Sequence, residues 1–493
     1  MKKLISISLS VLLILAMICS VFAEPAEVQQ AGWQETLSGI DGVLSVKEIP
    51  LDEEGRLFDE EYLVVFEQPL DWKNPEAGTF PQRVVIGLRA GATVNVISTE
   101  GYALTDFIMG NQESNPEEYL KSPGNVAEPA ELLKGNFIQV EHRFFGKSRP
   151  EALSNDEVTG WEYHTAENAA NDYHRIYTAL APLLSGKWLA TGASRGGDMT
   201  NTYGYFFPED MDVYMPYVAP SSMVRDDARF YHFVYEEIGN AAFGEEKAAE
   251  LRALLLSFQV MMLKHKAEIL PKYEAKVQQM GCVFRPQVDP AVLYDINVLE
   301  FGAQFWQYQR LPFEKVQQAL DMPETTPEEL QAKLDEAMGL MLQIQSPSDY
   351  SATTWAWPYY VNAATTYGQF RYDFSAIRRA LEEAGVKDVL SVTEEMEEGL
   401  MWNIVFTEEQ KAAFVYDGSY RQAMLEAMKT TDAKHLMIFG ATDPWTSEGI
   451  TECDNPNVKI YFHPTQPHSA SVSAMPEEML AEVAAVLLEW LSE

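Results

Sequence analysis

A serine flanked by glycines is the residue in this sequence whose setting most directly indicates chemistry. Residues 192–196 read Gly-Ala-Ser-Arg-Gly and place Ser194 at the centre of a G-x-S-x-G pattern. In serine hydrolases this pattern forms a strained turn from a strand into a helix, and small flanking residues let the backbones approach each other. Residues 187–190 favour a strand, and residues 198–203 can begin a helix. The sequence therefore predicts a nucleophile at Ser194, with a purely structural glycine-rich turn as the alternative.

Two residues much further along the chain can complete the set that a serine nucleophile needs. A histidine must take the proton of the hydroxyl group, and an acid must orient that histidine. In the fold that carries this turn, the acid and then the histidine follow the serine in chain order. Asp443 lies just past a strand-like run, although the Asp-Pro dipeptide is also a plain turn signal. His463 ends the last predicted strand and His468 lies in the loop beyond it, so we expect His468 to be the base.

An oxyanion hole made of two backbone N–H groups is also expected. One N–H group should come from Arg195, the residue after the nucleophile. The other should come from the turn after the third predicted strand, where Gly101 lets the backbone approach and Tyr102 supplies the donor. This chemistry requires no cofactor and no metal ion.

The elements that must position these residues alternate between strands and helices in the first half of the chain. Strands are predicted at residues 62–66, 83–88, 94–98, 136–141, 187–190, 213–218, 435–439 and 458–462. Helices are predicted at about residues 166–180, 248–266, 326–342, 374–384 and 476–491. The pattern predicts an α/β-hydrolase sheet domain made of residues 24–225 and 430–493, interrupted by a helical cap domain at 226–429.

The N-terminus has the pattern of a secretory signal peptide at residues 1–23. Lys2 and Lys3 precede an apolar run over residues 4–21, and Ala23 lies where a signal peptidase would cut. A membrane anchor is the alternative, because the apolar run is long enough to approach the thickness of a bilayer. No cationic segment follows the run, so we expect a secreted, extracellular protein without a stable membrane anchor.

Charge and cysteine content narrow the classes of partner. The 493 residues carry a net charge of −38 at pH 7, which argues against a nucleic-acid partner because such partners need a basic surface. The charge is compatible with cationic ligands such as peptide amino termini, and equally with solubility alone. Once Cys19 has left with the signal peptide, Cys282 and Cys453 remain. They could pair after export, but they fit no metal-site spacing.

Several motifs in a fixed order resemble those of the bacterial secreted tripeptidyl aminopeptidases, serine peptidases related to prolyl carboxypeptidase and dipeptidyl peptidase. The resemblance extends from about residue 60 to the C-terminus and is carried by residues 66–71 (FEQPLD), 80–83 (FPQR), 100–102 (EGY), 141–148 (EHRFFGKS), 192–197 (GASRGG) and 443–445 (DPW). The chain departs from the family pattern at Arg195, where lysine is expected, and at Ser469, where glycine is expected.

The resemblance implies a serine exopeptidase that releases short peptides, chiefly tripeptides, from free amino termini, with proline favoured before the scissile bond. The cap would then roof the cleft and limit which chains enter. Competing functions are a secreted ester or lipid hydrolase on the same scaffold and a cell-surface binding protein that has lost activity.

An aminopeptidase of this kind needs substrate-binding residues for the amino terminus and for proline. A carboxylate should hold the α-ammonium group, and Glu141 at a strand end is the candidate. An ion pair between Glu141 and Arg143 is an equal alternative. Trp357 and Tyr367 are candidates for an aromatic proline pocket, and the competing interpretation places these aromatic residues in the core of the cap.

Overall fold

A computed structural model of the chain describes residues 32–50, 57–104, 125–352 and 354–493. The predicted signal peptide at residues 1–23 lies outside the described residues. None of the described helices has both the length and the apolar character that crossing a membrane requires.

The described residues form eleven strands. Nine of them make one mixed sheet, and the other two pair only with each other. The strands in chain order are β1 (Val43–Glu48), β2 (Glu60–Pro69), β3 (Thr79–Leu88), β4 (Val94–Thr99), β5 (Asn136–Val140), β6 (Lys187–Ala193), β7 (Val213–Tyr217), β8 (Asp226–Asp227), β9 (Gln369–Phe370), β10 (His435–Gly440) and β11 (Val458–His463). The order across the sheet is β1-β2-β3-β5-β4-β6-β7-β10-β11, and β8 pairs separately with β9. Neighbours from β1 to β5 are antiparallel, and all later neighbours are parallel.

The described helices are divided between the two faces of the sheet and a long helical segment between β7 and β10. In chain order they are α1 (Trp33–Ser38), α2 (Glu128–Leu132), α3 (Ala166–Leu180), α4 (Arg195–Phe206), α5 (Arg229–Glu236), α6 (Asn240–Phe243), α7 (Glu245–Lys264), α8 (Lys266–Gln279), α9 (Pro290–Tyr308), α10 (Phe313–Asp321), α11 (Pro327–Ile344), α12 (Trp357–Asn362), α13 (Ser375–Glu383), α14 (Glu394–Glu397), α15 (Leu400–Val405), α16 (Glu408–Ala413), α17 (Ser419–Met428) and α18 (Glu477–Ser492).

Helices cover both faces of the central strands, and this explains why the side chains on both faces of those strands are buried. Every residue of β4, β5, β7 and β10 is buried. On one face, Tyr173 of α3 and Met199 of α4 share a hydrophobic cluster with Ile97. On the other face, Leu487 of α18 shares a cluster with Leu436. The fold is therefore the predicted α/β-hydrolase sheet with a large helical insertion.

The helical insertion, α5 to α17, has a large hydrophobic core built mainly from α7, α9 and α11. The same cluster that contains Phe301 and Trp306 of α9 also contains Phe144 and Trp161, which precede the insertion in the chain. The cap core is thus continuous with residues of the sheet domain, and the predicted cap boundaries of 226–429 stay a prediction.

The two cysteines of the described chain are both free and partly buried. Cys282 packs against the cap core, whereas Cys453 packs against the cluster under β10 and β11. They do not pair with each other in this structure.

Candidate active site

The predicted nucleophile lies in a strained turn between β6 and α4. Ser194 has φ 56° and ψ −124°, a conformation that a non-glycine residue adopts only when the surroundings impose it. A Cβ atom at Gly192 would lie 2.3 Å from the carbonyl oxygen of Gly196, and one at Gly196 would lie 2.7 Å from that of Thr99. The turn therefore needs glycine on both sides of the serine, which is the physical requirement behind the G-x-S-x-G pattern.

The predicted acid and base are joined in the loops that follow β10 and β11. Asp443 Oδ2 lies 2.7 Å from His468 Nδ1, and the Asp443 side chain is fully buried. The N–H of Trp445 donates to the other carboxylate oxygen at 3.1 Å, which fixes the carboxylate plane. His468 Nε2 is buried and has no hydrogen-bond partner in the described chain, and both His468 and Ser194 line one cavity. His468 is thus oriented by Asp443, and its second nitrogen is unpaired within the described chain, as a histidine that serves as a base requires.

The other candidate base, His463, is held in a structural role. Its Nε2 lies 2.8 Å from the carbonyl oxygen of Ala474, and its Nδ1 accepts the N–H of Gln466 at 3.1 Å. Both ring nitrogens are therefore occupied by backbone groups, which leaves neither for catalysis.

The two predicted oxyanion donors lie on neighbouring segments. A Cβ atom at Gly101 would lie 2.7 Å from both the Cβ of Arg195 and the backbone nitrogen of Gly196, so the turn after β4 packs directly on the start of α4. Tyr102 follows Gly101 and lines the same cavity as Ser194. The close approach that the sequence analysis assigned to Gly101 is therefore present.

Glu100, which the sequence analysis did not single out, is part of the same turn. Its carboxylate accepts hydrogen bonds from the N–H groups of Gly101, at 3.0 Å, and of Tyr102, and from Gln139 Nε2 at 2.7 Å. Burial raises the pKa of Glu100 to about 7. The Tyr102 N–H is already hydrogen-bonded to this carboxyl group, so a substrate oxygen would share it or displace Glu100.

The side chain of Arg195 supports an aromatic pocket beside the nucleophile. Its Nε donates to the carbonyl oxygen of Gly101 at 3.1 Å, and its guanidinium carbon lies 4.6 Å from the ring centre of Tyr367 and 5.3 Å from that of Tyr359. Tyr359, Tyr367 and Trp445 line a small pocket that also contains Ser194. The predicted substrate-binding residue Tyr367 is therefore placed at the nucleophile.

Trp357 is placed differently from the prediction. It is 1% exposed and packs on Trp161 and Phe406 in the cap core. Trp355 and Tyr359 line the cavity instead. Trp357 is the first residue of α12 and faces the cap core, whereas Trp355, in the turn before the helix, and Tyr359 face the cavity.

Glu141 does not fit the predicted role of binding the substrate ammonium group. It is fully buried, and its carboxylate accepts from Arg83 Nε at 2.7 Å, Ser148 Oγ at 2.6 Å and the N–H of Leu104 at 3.0 Å. The alternative pair with Arg143 is not formed either, because Arg143 binds Asp172 through two hydrogen bonds of 2.7 and 2.8 Å. Glu141 is a structural ion-pair partner of Arg83, which lies on the adjacent antiparallel strand β3.

A single cavity of about 760 Å³ connects these features between the sheet and the cap. Ser194, Tyr102 and His468 of the sheet domain and Tyr308, Trp355 and Tyr359 of the cap all line it, and the ring of Tyr102 packs against those of Trp355 and Tyr359 at 5.5 and 6.2 Å. A cavity of this size, lined by aromatic side chains together with many polar groups, can hold a small molecule or a short peptide. The described residues contain no cluster of side chains that could hold a metal ion.

The sheet order, the strained serine turn and the oriented histidine define an α/β-hydrolase equipped for nucleophilic catalysis. The family model for PS-10 peptidase S37 matches residues 33–393. The chain belongs to this family and is a serine peptidase, as the motif resemblance indicated.

Known proteins with overall similarity include one enzyme and several solved structures. The chain is 26% identical to the prolyl tri/tetrapeptidyl aminopeptidase of Streptomyces mobaraensis over 479 residues, which cover 96% of this chain and 88% of that protein. Solved structures of proline iminopeptidase from Mycobacterium smegmatis and of VinJ are each 12% identical to it. They match 91% of this chain and 99% of their own, with TM-scores of 0.34 and 0.36.

Proposed function

We propose that this protein is a secreted exopeptidase that releases short peptides, chiefly tripeptides ending in proline, from free amino termini. The observation that carries the proposal is the oriented base: His468 Nδ1 is hydrogen-bonded to Asp443, while its unpartnered Nε2 and Ser194 share one cavity. Family membership and the similarity to a prolyl tri/tetrapeptidyl aminopeptidase support peptide as the substrate class.

The proposed reaction proceeds through an acyl-enzyme. His468 Nε2 takes the hydroxyl proton of Ser194 as the serine oxygen attacks the carbonyl carbon after proline. The backbone N–H group of Arg195, together with that of Tyr102 once it is shared with or released by Glu100, stabilises the oxyanion. His468 then gives the proton to the departing amine, and a water molecule activated by the same histidine releases the short peptide.

The proposed proline preference rests on the aromatic pocket beside the nucleophile. Tyr359, Tyr367 and Trp445 surround a volume of about 40 Å³ next to Ser194. A pyrrolidine ring is compact and apolar and can pack against these aromatic side chains, whereas a larger side chain would need the Arg195-supported tyrosines to move.

The test compares chromogenic substrates that differ in one group at a time. Alanyl-alanyl-prolyl p-nitroanilide should be cleaved with a free amino terminus and resist cleavage when it is acetylated, and replacing proline with leucine should lower kcat/KM. Ser194→Ala should abolish cleavage without changing the melting temperature. Equal cleavage of free and acetylated peptides, or activity on short-chain esters alone, would contradict the proposal.

The export step has its own test. Expression of the full chain in a secreting bacterial host should give an extracellular protein whose amino terminus, read by sequencing, begins near Glu24. Retention of residues 1–23 on a membrane-bound product would support the anchor instead.

A further inference from the structure

Among the described residues, four carboxyl groups line the cavity that also contains Ser194, and they differ in their hydrogen-bond partners. They belong to Glu100, Glu128, Glu300 and Asp349. Glu128 accepts the N–H groups of Val472 and Ser473, each at 2.8 Å. Glu100 is held by its own turn and by Gln139, as described above. These two carboxyl groups are therefore saturated with donors from the protein.

Glu300 of α9 is also held by the protein. It accepts from the hydroxyl group of Tyr372 at 2.8 Å, from the hydroxyl group of Tyr350, and from Gln345 Nε2. Burial, followed by the nearby charge of Asp349, raises the pKa of Glu300 to about 7. This network fixes an acidic group directly behind Asp349.

Asp349 is the exception among the four. No group in the described chain donates a hydrogen bond to its carboxylate, and its contacts there are made by the backbone: the carbonyl oxygen accepts the hydroxyl group of Tyr360 at 3.1 Å. The residue lies in a short 3-10 turn, Pro347–Tyr350, that starts with proline and is anchored by this bond. Burial alone raises the pKa of Asp349 to about 6. The carboxylate is partly buried, opens onto the cavity and receives no donor from the described chain, so a ligand in the cavity can supply its hydrogen-bond donor.

The ligand must be a cation that enters from the cavity. The other charged side chain on this part of the wall, Arg310, lies over the ring of Tyr308 at 4.3 Å and forms no ion pair with Asp349 in the described chain. An ammonium group would gain a charge-assisted hydrogen bond from Asp349 and the field of Glu300 behind it. Ser194 of the sheet domain and Asp349 of the cap line the same cavity of about 760 Å³.

We propose that Asp349, supported by Glu300, binds the α-ammonium group of the peptide substrate while Ser194 attacks its scissile carbonyl. This assignment rests on the proposed exopeptidase function and replaces Glu141 in that role. The distance between the cap carboxylate and the nucleophile then sets how many residues are released, because one end of the peptide is fixed at each.

The test separates recognition of the amino terminus from catalysis. Alanyl-alanyl-prolyl p-nitroanilide carries no cation besides its amino terminus, so kcat/KM on this peptide isolates the interaction. Asp349→Asn should lower it by about 10- to 100-fold, the range for a lost hydrogen bond to a charged group. Asp349→Glu, which keeps the charge, should recover part of the loss. Glu336→Gln removes one negative charge from an exposed position of cap helix α11 and serves as the matched control.

Binding is measured independently of turnover with alanyl-alanyl-boroproline, which forms an adduct with the serine, in free and N-acetylated forms. Wild-type protein should prefer the free form by about 10- to 100-fold, and Asp349→Asn should reduce this preference to less than threefold while binding the acetylated form normally. If wild-type protein shows no preference for a free terminus, the proposed exopeptidase function fails. If wild-type protein prefers the free terminus and Asp349→Asn retains that preference, the assignment of Asp349 fails while the function stands.

Discussion

Substitution of Gly101 by alanine tests the geometry between the predicted oxyanion turn and the nucleophile helix. The added Cβ would lie 2.6 Å from Arg195 Cγ and 2.7 Å from the backbone nitrogen of Gly196. Carbon atoms in ordinary contact are about 3.5 Å apart, so the turn after β4 and the start of α4 must separate by about 0.8 Å. Since the contact includes backbone, a side-chain rotation cannot absorb it.

The separation should reduce catalysis more than it reduces stability. Misplacement by about 1 Å costs on the order of 10²-fold in rate, and loss of one oxyanion donor costs about 10²- to 10³-fold. We therefore expect Gly101→Ala to lower kcat by about 10²- to 10³-fold on the free tripeptide substrate. The overpacking should lower the free energy of unfolding by about 1–3 kcal/mol.

The control is a glycine with free space around it. A Cβ at Gly339, in helix α11 of the cap, would meet nothing within 4 Å, so Gly339→Ala should leave kcat unchanged and stabilise its helix by about 0.5–1 kcal/mol. Steady-state kinetics and thermal unfolding of both variants provide the comparison. If Gly101→Ala folds and keeps kcat within threefold of the wild type, the close approach does not position the oxyanion hole and the assignment of these donors is refuted.

Three further substitutions test the base, the attachment of the cap and a buried acid. Asp443→Asn should lower kcat by about 10³- to 10⁴-fold with an unchanged melting temperature, because an amide favours the wrong tautomer of the histidine; activity within tenfold of the wild type would refute the orienting role. Arg421→Met leaves Asp198 buried without its two hydrogen bonds of 2.6 and 2.7 Å, so urea unfolding should show that the free energy of unfolding falls by about 3–5 kcal/mol. The control is Lys429→Met, which removes the exposed ion pair with Glu426 and should lower the free energy of unfolding by less than about 1 kcal/mol. Burial raises the pKa of Glu448 to about 8, so the folded state holds this proton more tightly than the unfolded chain does, and stability should fall as pH rises from about 4.5 through 8. Glu448→Gln should make that fall shallower in a series of melting temperatures from pH 5 to 9, and part of the fall should remain because the pKa values of Glu100 and Glu300 are also raised, to about 7; parallel curves for variant and wild type would contradict the assignment.

The candidate catalytic residues could be located from the sequence because their signals are local or depend on chain order. Five consecutive residues define the serine turn. Backbone contacts within or next to the turn require glycine at positions 192 and 196. Asp443 and His468 follow from the strand order of one fold class, since each sits just after a parallel strand. The choice of His468 over His463 needed only the distinction between a loop residue and a strand-end residue.

The substrate-binding residues were harder to predict because long-range packing decides their surroundings. Glu141 forms an ion pair with Arg83, which lies 58 positions away and is brought near by the β3–β5 pairing. Spacing along the chain does not reveal this pair. Asp349 lies in a Ser-Pro-Ser-Asp-Tyr turn that looks ordinary in the sequence. Its importance depends on which donors fail to reach it, and that is a property of the folded cap.

Strand β1 and the break between α7 and α8 are two features of the fold that the sequence pattern did not predict. β1 was not predicted, because it is an edge strand with exposed and partly buried residues and lacks an apolar run. The predicted helix at 248–266 ends as α7 at Lys264, and a new helix begins after His265. Apolar periodicity continues across this break, so the pattern alone cannot locate it.

The end of cap helix α9 forms hydrogen bonds with both loops that carry the candidate base and acid. The carbonyl oxygen of Gln307 accepts the N–H of His468 at 3.1 Å, and Gln309 Nε2 donates to Thr442 Oγ1 at 2.8 Å, one residue before Asp443. The loops that carry the base and the acid therefore depend on a helix that the chain inserts between β7 and β10. Removing residues 226–429 would take away these two supports as well as Asp349 and the aromatic wall, so the remaining sheet domain would keep Ser194 but lose the fixed position of His468. The insertion thus couples substrate selection to the position of the general base.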